Sequence, residues 1–367
     1  MKKIAFLALA QAHQLFHWLP AALCLARDGD MQVSILSPSA KLRTLIARHD
    51  PDGLLHHISL RRPTLRSDSL FCMPPRQATL LLNYPTIAAF DYIVTTEITS
   101  SALRNVPGFR SRMILIKHGA GDREGGYKQR HANFDLTLVA GEKDKTRMIA
   151  RGLVTPDNCH VAGCAKMELM APREDFFGNG LPTILYNPHF DQRLSSWRRH
   201  GGAILRCLES LNGFNVIIAP HVRLAETARP IRSDAPHILV DMGSDRSIDM
   251  SYTNSADIYL GDVSSQVYEF ILTPRPCLFL NLDHIDYAAQ DCFAHWRLGQ
   301  VVDDLAELPI ALGRAKAIQP SYATLQADAA GHSISMTPTP ASRRQADYIR
   351  AFMDDDVRKK GATGNRA

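Results

Sequence analysis

The sequence predicts an α/β protein made of two parallel-sheet halves, and three observations carry that expectation. Short apolar runs alternate with segments of helical periodicity along most of the chain. The alternation stops in a stretch rich in Gly, Pro and charge, Pro172 to Pro182, and then restarts. The chain has 367 residues, enough for two domains of ordinary size. Strands that alternate with helices imply sheets covered on both faces.

Composition narrows the class. Hydrophobic residues make up 45% and charged residues 22%, as in soluble globular proteins. No apolar run reaches the roughly 18–20 residues of a membrane span. The net charge of +5 is mildly basic and compatible with a polyanionic substrate or an anionic membrane surface. Seven cysteines, an odd number without a C-x-x-C, argue against a disulfide framework or a zinc site and for a reducing compartment.

The first half opens on Ile4–Ala10. Met1-Lys2-Lys3 before it and Ala10-Gln11-Ala12 after it imitate a signal peptide. A buried first strand is the better reading, because a helix over His13–Ala26 and a second strand, Met31–Leu36, complete a β-α-β unit around it. A helix follows at Ala40–His49, then a strand near Leu54–Ser59 and an irregular loop from Pro63 to Arg76. Further strands are expected at Tyr92–Thr96, Met113–Ile116, Leu136–Ala140 and His160–Gly163, with a helix over Lys143–Arg151. In the second half, strands are expected at Thr183–Asn187, Phe214–Ala219, Ile238–Asp241, Ile258–Gly261 and, last, Pro276–Asn281. Helices are expected at Ser195–Leu211 and Asp249–Asn254. Asp303–Ile318 and Arg343–Asp354 read as helices separated by the polar segment Ser333–Ser342. The expected domains are 1–175, 176–325, a helical segment 326–354 packing back, and a disordered basic tail 355–367. The acidic run Asp354-Asp355-Asp356 reads as a solvated helix end.

In open parallel sheets, ligands bind at the carboxyl ends of strands. His118 follows Met113–Ile116 directly, with Gly119 and Gly121 beside it, which suits a general base. Lys117 points the other way by strand alternation. His221 follows the strand ending at Ala219 and Pro220. With Arg223 it could hold a diphosphate, for which guanidinium offers a planar fork. Asn187, before Pro188 and His189, closes the first strand of the second half. It reads as a turn that could also face a ligand. Asp249 reads as a helix cap that could also meet ribose hydroxyls. Asp262-Val263-Ser264-Ser265 forms a polar elbow between a strand and a helical pattern. Its hydroxyls and backbone N–H groups suit phosphate; alone, the pair reads as an N-cap. His13 and His17 are spaced i, i+4 after the first strand, without the glutamate of H-E-x-x-H, and no metal site is expected. No P-loop, no G-x-S-x-G and no convincing G-x-G-x-x-G is present.

Taken in order, Lys117-His118-Gly119, Phe134-Asp135, Gly163-Cys164-Ala165-Lys166, Tyr186-Asn187-Pro188, Pro220-His221, Asp249 with Tyr252, Ala256-Asp257, Asp262-Val263-Ser264-Ser265, Tyr268-Glu269-Phe270 and Arg275-Pro276 form a series. From about residue 113 to 290 it resembles the CDP-glycerol glycerophosphotransferase family, the teichoic-acid primases and polymerases with relatives in capsule synthesis. Val263 stands where that family usually has tyrosine, and Gly163-Cys164-Ala165-Lys166 replaces a Gly-Tyr-Pro-Arg-like turn. The resemblance implies a GT-B fold of two Rossmann-like domains facing across a cleft. It also implies transfer of an alditol phosphate, glycerol phosphate first, from a CDP-alditol to a hydroxyl, releasing CMP without metal or cofactor.

Carried over, His118 is the base and His221 a second histidine at the donor. Ser264, Ser265, Asp262, Arg223, Gly119, Asn187 and Asp249 lie on the donor side, and His13 and His17 on the acceptor side. The expected partners are a CDP-alditol and a glycan or lipid-linked hydroxyl acceptor, not nucleic acid. The expected place is the cytoplasm, with the inner face of the plasma membrane within reach of a basic tail and the Arg61-Arg62, Arg66 loop. Two alternatives stay open: a glycosyltransferase using a nucleotide sugar, and a non-catalytic nucleotide-binding scaffold.

Overall fold

The structure is a computed structural model that describes residues 2–63, 68, 73–227 and 230–364. The chain divides into two compact units. One comprises Met1–Gly119, Tyr127–Leu169 and Ser333–Ala367, the other Ala120–Gly126 and Met170–His332. Residues 172–182 therefore belong to the second unit. There Arg173 pairs with Asp257 at 2.6 Å, and the Glu174 amide donates to Ser255 Oγ at 2.9 Å.

In chain order the first unit contains β1 (Lys3–Leu7), α1 (Leu19–Arg27), β2 (Gln32–Ser37), α2 (Ala40–His49), β3 (His56–Ser59), α3 (Arg76–Leu82), α4 (Tyr84–Ile87), β4 (Tyr92–Thr95), β5 (Arg112–Ile116), β6 (Leu136–Val139), α5 (Glu142–Ala150) and β7 (Cys159–Val161). Its seven strands lie parallel in the order β3-β2-β1-β4-β5-β6-β7. Ile4–Ala10 is continuously apolar because β1 runs between β2 and β4, buried on both faces.

The single helix expected over His13–Ala26 is instead a 3₁₀ turn, Ala12–His17, followed by α1. Pro20 is the cause: it lacks an N–H and is accommodated only in a first helical turn.

The second unit contains β8 (Thr183–Asn187), α6 (Ser196–Glu209), β9 (Asn215–Ile218), α7 (Val222–Thr227), β10 (Ile238–Val240), α8 (Ser251–Ser255), β11 (Ile258–Gly261), α9 (Gln266–Phe270), β12 (Cys277–Leu280), β13 (Gln300–Val302), α10 (Leu308–Ile318) and α11 (Pro320–Ser333). Its six strands are parallel in the order β10-β9-β8-β11-β12-β13. Ile184, Tyr186, Val216, Ile218 and Leu260 pack against Ile204 and Leu208 of α6.

Three expectations give way here. Pro276–Asn281 is not the last strand. Gln300-Val301-Val302 adds β13, whose three residues are too few to show alternation and which exists by pairing with β12. Helix α11 overlaps the helical segment expected from 326 but starts earlier, at Pro320, and an internal glutamine anchors it. Gln326 is fully buried and donates to the carbonyls of Leu298 at 2.7 Å and Arg275 at 2.9 Å. The C-terminal helix α12 (Ala341–Gly364) runs to Gly364, into the segment 355–367 expected to be a disordered tail. Asp356 is no solvated end. It is buried, accepting from Tyr92 Oη at 3.1 Å and Arg112 Nε at 2.8 Å, so it ties α12 to β4 and β5. Arg66 and Arg366, invoked for membrane contact, lie outside the described residues. Among the described residues no helix is long and apolar enough to cross a membrane.

Candidate active site

In the first unit the carboxyl ends of β1, β4 and β5 converge on His118. The ring's Nδ1 lies 2.6 Å from the carbonyl oxygen of Thr96, just past β4. A carbonyl can only accept, so Nδ1 carries the proton and the neutral ring's lone pair is at Nε2. That is the tautomer a general base needs. Thr96 is in turn held by its Oγ1, which donates to Gln14 Oε1 at 3.1 Å. Gly119 follows with φ +67, a left-handed turn that favours glycine. Lys117 is directed away, into a buried ion pair with Asp144 at 3.0 Å.

His17 is buried edge-on to His118, with ring centroids 6.2 Å apart, and its Nδ1 is 3.5 Å from Cys164 Sγ. Burial first, then Lys166, His118 and Lys117, hold its pKa well below the usual value, so it is neutral. His13 does not share its face. In a 3₁₀ turn of about three residues per turn, positions four apart are rotated by about 120°.

In the second unit the elbow after β11 is organised by Asp262. This buried carboxylate accepts from the amides of His189 (2.9 Å), Val263 (2.8 Å) and Ser196 (2.7 Å) and from Ser196 Oγ (2.9 Å). Its backbone carbonyl takes Nε2 of His295 and Nε1 of Trp296, each at 2.9 Å. With both oxygens occupied, Asp262 acts as a strut between the β8 and β11 loops rather than as a ligand contact. Burial pushes its carboxyl up to about 6, against the pull of these donors.

Ser264 and Ser265 ride on this strut. The helix behind them is shorter than expected. α9 has five residues, and Ser265 at its start makes no capping hydrogen bond. A five-residue helix brings only a small dipole, so phosphate binding here would depend on hydroxyls and cations.

Those cations surround Phe190. Arg223 lies over its ring at 4.2 Å, and Arg123 lies 5.0 Å from its centroid. His189 and His221 contact the same ring at 4.3 and 4.7 Å. His221 Nδ1 accepts the Arg223 amide at 3.2 Å, which puts its proton on Nε2 and makes that nitrogen a donor. The two histidines singled out in the sequence thus hold opposite tautomers, His118 with a lone pair at Nε2 and His221 with an N–H there.

His189 is buried and flanked by donors at both nitrogens, Arg123 Nη1 at 3.2 Å and the Asp191 amide at 3.1 Å. Burial and then Arg123 lower its pKa to about 2.

Asn187 and Asp249 are engaged locally. Asn187 Nδ2 donates to the Ala219 carbonyl at 2.6 Å, bridging the ends of β8 and β9. Asp249 accepts from the amide and hydroxyl of Ser251 at 2.9 and 2.6 Å, but the N-cap of α8 is Met250, not Asp249. The intervening Met250 is left-handed at φ +68 and buried, a strained position for a side-chain-bearing residue.

Sequence reasoning missed Arg123 and Phe190. Arg123 lies in Ala120–Gly126, which directly follows Gly119 in the chain yet belongs to the second unit. Two contacts pin that segment. Gly121 packs on Ser265 so closely that an added Cβ would sit 2.9 Å from Ser265 Cβ. Asp122 accepts from Tyr268 Oη and lies 3.5 Å from His295 Nδ1. Only the proximity of Arg123 to His118 in sequence could have signalled it.

These pKa shifts predict acid sensitivity. His17 and His189 have folded-state pKa values depressed below 6.5, so their stabilisation is present above 6.5 and lost as pH falls. The His189 ring should cost about 2 kcal/mol between pH 6.5 and 5, and His17 acts in the same direction. Asp262, raised above 3.8, acts oppositely: its contribution is present below 3.8 and lost as pH rises through about 6. In the second unit it offsets part of the His189 loss, so the first unit should be the more acid-sensitive. Urea unfolding at the two pH values, with His17→Asn flattening the first unit's dependence, is the measurement.

No protein-family model matches the chain, and no curated protein matches it. Solved structures do. The wall teichoic acid polymerase TagF aligns at TM-score 0.62 and 11% identity, over 97% of this chain and 90% of that one. Staphylococcus aureus MnaA with UDP aligns at 0.67 and 13%, over 96% and 97%. The Neisseria meningitidis UDP-GlcNAc 2-epimerase bound to UDP-GlcNAc aligns at 0.63 and 12%, over 96% and 100%. At these identities the likeness shows the fold, a GT-B-type α/β architecture with parallel sheets of seven and six strands.

Proposed function

We propose that this chain transfers an alditol phosphate, glycerol phosphate first, from a CDP-alditol to a hydroxyl acceptor and releases CMP. The observation that carries the reading is the cluster of the Arg123 and Arg223 guanidiniums with the His221 Nε2–H donor around Phe190, next to the Asp262-braced Ser264-Ser265 elbow. This is a built place for a diphosphate at the carboxyl ends of β8, β9 and β11. The ordered motif series and the likeness to TagF support cytidine and alditol as the two ends of the donor.

In the reaction, His118 Nε2 accepts the proton of the acceptor hydroxyl. The hydroxyl oxygen bonds to the distal phosphorus, and the bond from that phosphorus to the CMP oxygen breaks. The guanidiniums, the His221 Nε2–H and the two serine hydroxyls meet the charge moving onto CMP. Preorganised donors of this kind are typically worth about 3–4 kcal/mol each. Gly119 leaves the backbone beside His118 open to the reacting groups, while Asn187, Asp249 and Asp262 hold the loops. His13 and His17 are assigned to the acceptor side, where His17, buried and neutral, positions rather than ionises. A glycan or lipid-linked acceptor at the inner membrane face follows from the same reading.

One of the matched structures is described as bound to UDP-GlcNAc and another as a co-structure with UDP, which favours one rival: a nucleotide-sugar transferase attacking carbon. Products separate the two. CMP from CDP-glycerol or CDP-ribitol is expected; nucleoside diphosphate from a sugar donor, with no CMP from any CDP-alditol, overturns the proposal.

A further inference from the structure

The segment Ala120–Gly126 leaves the first unit after Gly119 and returns to it at Tyr127, and between those points it belongs to the second unit. It is a short strap with gathered feet. In the first unit, Lys117 Nζ and Tyr127 Oη both bond Asp144, at 3.0 and 2.5 Å, and Lys117 Nζ also donates to the Gly119 carbonyl at 3.3 Å. Bringing the two ends together reduces the entropy the strap still has to lose when its middle is fixed.

The middle is fixed residue by residue. Gly121 lies against the elbow, where a side chain would meet Ser265. Asp122 is turned inward: its carboxyl has no exposed surface, accepts from Tyr268 Oη of α9 and faces His295 Nδ1 at 3.5 Å. His295 is itself buried and gives its Nε2–H to the Asp262 carbonyl at 2.9 Å, so the strap is tied to the same strut that carries the elbow. Arg123, the next residue, reaches His189 Nε2 at 3.2 Å and the Phe190 ring at 5.0 Å.

Arg123 is held where a cation is disfavoured. Burial lowers its pKa first, and Arg223 adds to the lowering, with Asp191 opposing. Among the described residues no carboxylate forms an ion pair with it. A long charged side chain in such a place turns out to water unless its backbone is fixed. Asp122 supplies that restraint, and a guanidinium ordered in advance binds an anion without the entropy cost of ordering it.

We propose that Asp122 is a positioning residue: it locks the Ala120–Gly126 strap to the second unit so that Arg123 is presented, already ordered, to the phosphates of the donor. The inference rests on the reading of the Arg123, Arg223 and His221 cluster as the diphosphate site, and its test keeps the two apart. The sign of the effect is diagnostic. A carboxylate near a phosphate repels it, so by charge alone Asp122→Ala would tighten CDP binding, whereas loss of positioning weakens it. The full-length chain and the Arg123→Ala, Asp122→Ala and doubly substituted variants are titrated calorimetrically with CDP, and cytidine is measured by its displacement of CDP. Asp122→Ala should weaken CDP about tenfold, as Arg123→Ala does, with cytidine unchanged within about twofold. The double variant should be no weaker than Arg123→Ala alone, because a residue that acts through Arg123 has no effect once Arg123 is gone. Tyr268→Phe removes the hydroxyl bonded to Asp122 and keeps the ring, so it serves if Asp122→Ala fails to fold. It should weaken CDP about threefold and lose that effect in the Arg123→Ala background. Unchanged or tighter CDP binding, an additive double variant, or an equal loss of cytidine overturns the role of Asp122 and leaves the diphosphate reading standing. If Arg123→Ala binds CDP as the unaltered chain does, or the unaltered chain binds no CDP, the diphosphate reading fails and the inference with it.

Discussion

His118→Ala is expected to slow CMP release from CDP-glycerol by about 10²–10⁴-fold, the range a positioned general base supplies. The affinity for CDP should hardly change, because the cations and hydroxyls assigned to the diphosphate belong to other residues. The Thr96 carbonyl gives this expectation its sharpness. By fixing the proton on Nδ1 it leaves the basic lone pair on Nε2. His118→Gln, which preserves volume and polarity but not basicity, should be as slow as the alanine variant. Stopped-flow or endpoint CMP assays with calorimetric CDP titrations separate the two effects. Wild-type turnover in either variant would remove His118 from the reaction.

Asp262→Ala should be the most damaging single change to the second unit, at about 3–5 kcal/mol of unfolding free energy. The carboxylate satisfies three backbone amides and one hydroxyl in a site without water access, and alanine leaves those amides buried without acceptors. Asp262→Asn keeps one oxygen for His189 and Val263 and should cost about half as much. Chemical unfolding gives the magnitudes. A loss below 1 kcal/mol for the alanine variant would mean that the loops repack without this strut. The same variants should impair CDP binding, because Ser264 and Ser265 are carried on the loop that Asp262 braces.

Several site features were legible in the residues themselves. His118 after an apolar strand with glycines beside it, His221 after Pro220, and a polar elbow after Ile258–Gly261 all sit at strand ends in the structure. What each side chain does there was less legible. Asp262 and Asp249 look alike in sequence, as acids two residues before a serine, yet one braces two loops and the other bonds only Ser251 at the start of a short helix. The i, i+4 pair His13 and His17 suggested one helix face until Pro20 forced a 3₁₀ turn before α1. Asp356 looked like one of three solvated acids, and only the position of Tyr92 and Arg112 made it a buried tie.

By itself the sequence determined the class of protein: two parallel α/β sheets, which strands end in chemistry-bearing residues, and the order of those strands along the chain. These follow from local rules, since periodicity, turn residues and apolar runs act over a few residues. The tertiary structure decided the groups that meet across loops: the stacking of Arg123 and Arg223 on Phe190, the tautomers of His118 and His221, and the membership of Ala120–Gly126 in the second unit. Those depend on which backbone carbonyl or amide comes within about 3 Å of a side chain. Distances of that kind are set by packing between residues far apart in sequence, so no local pattern encodes them.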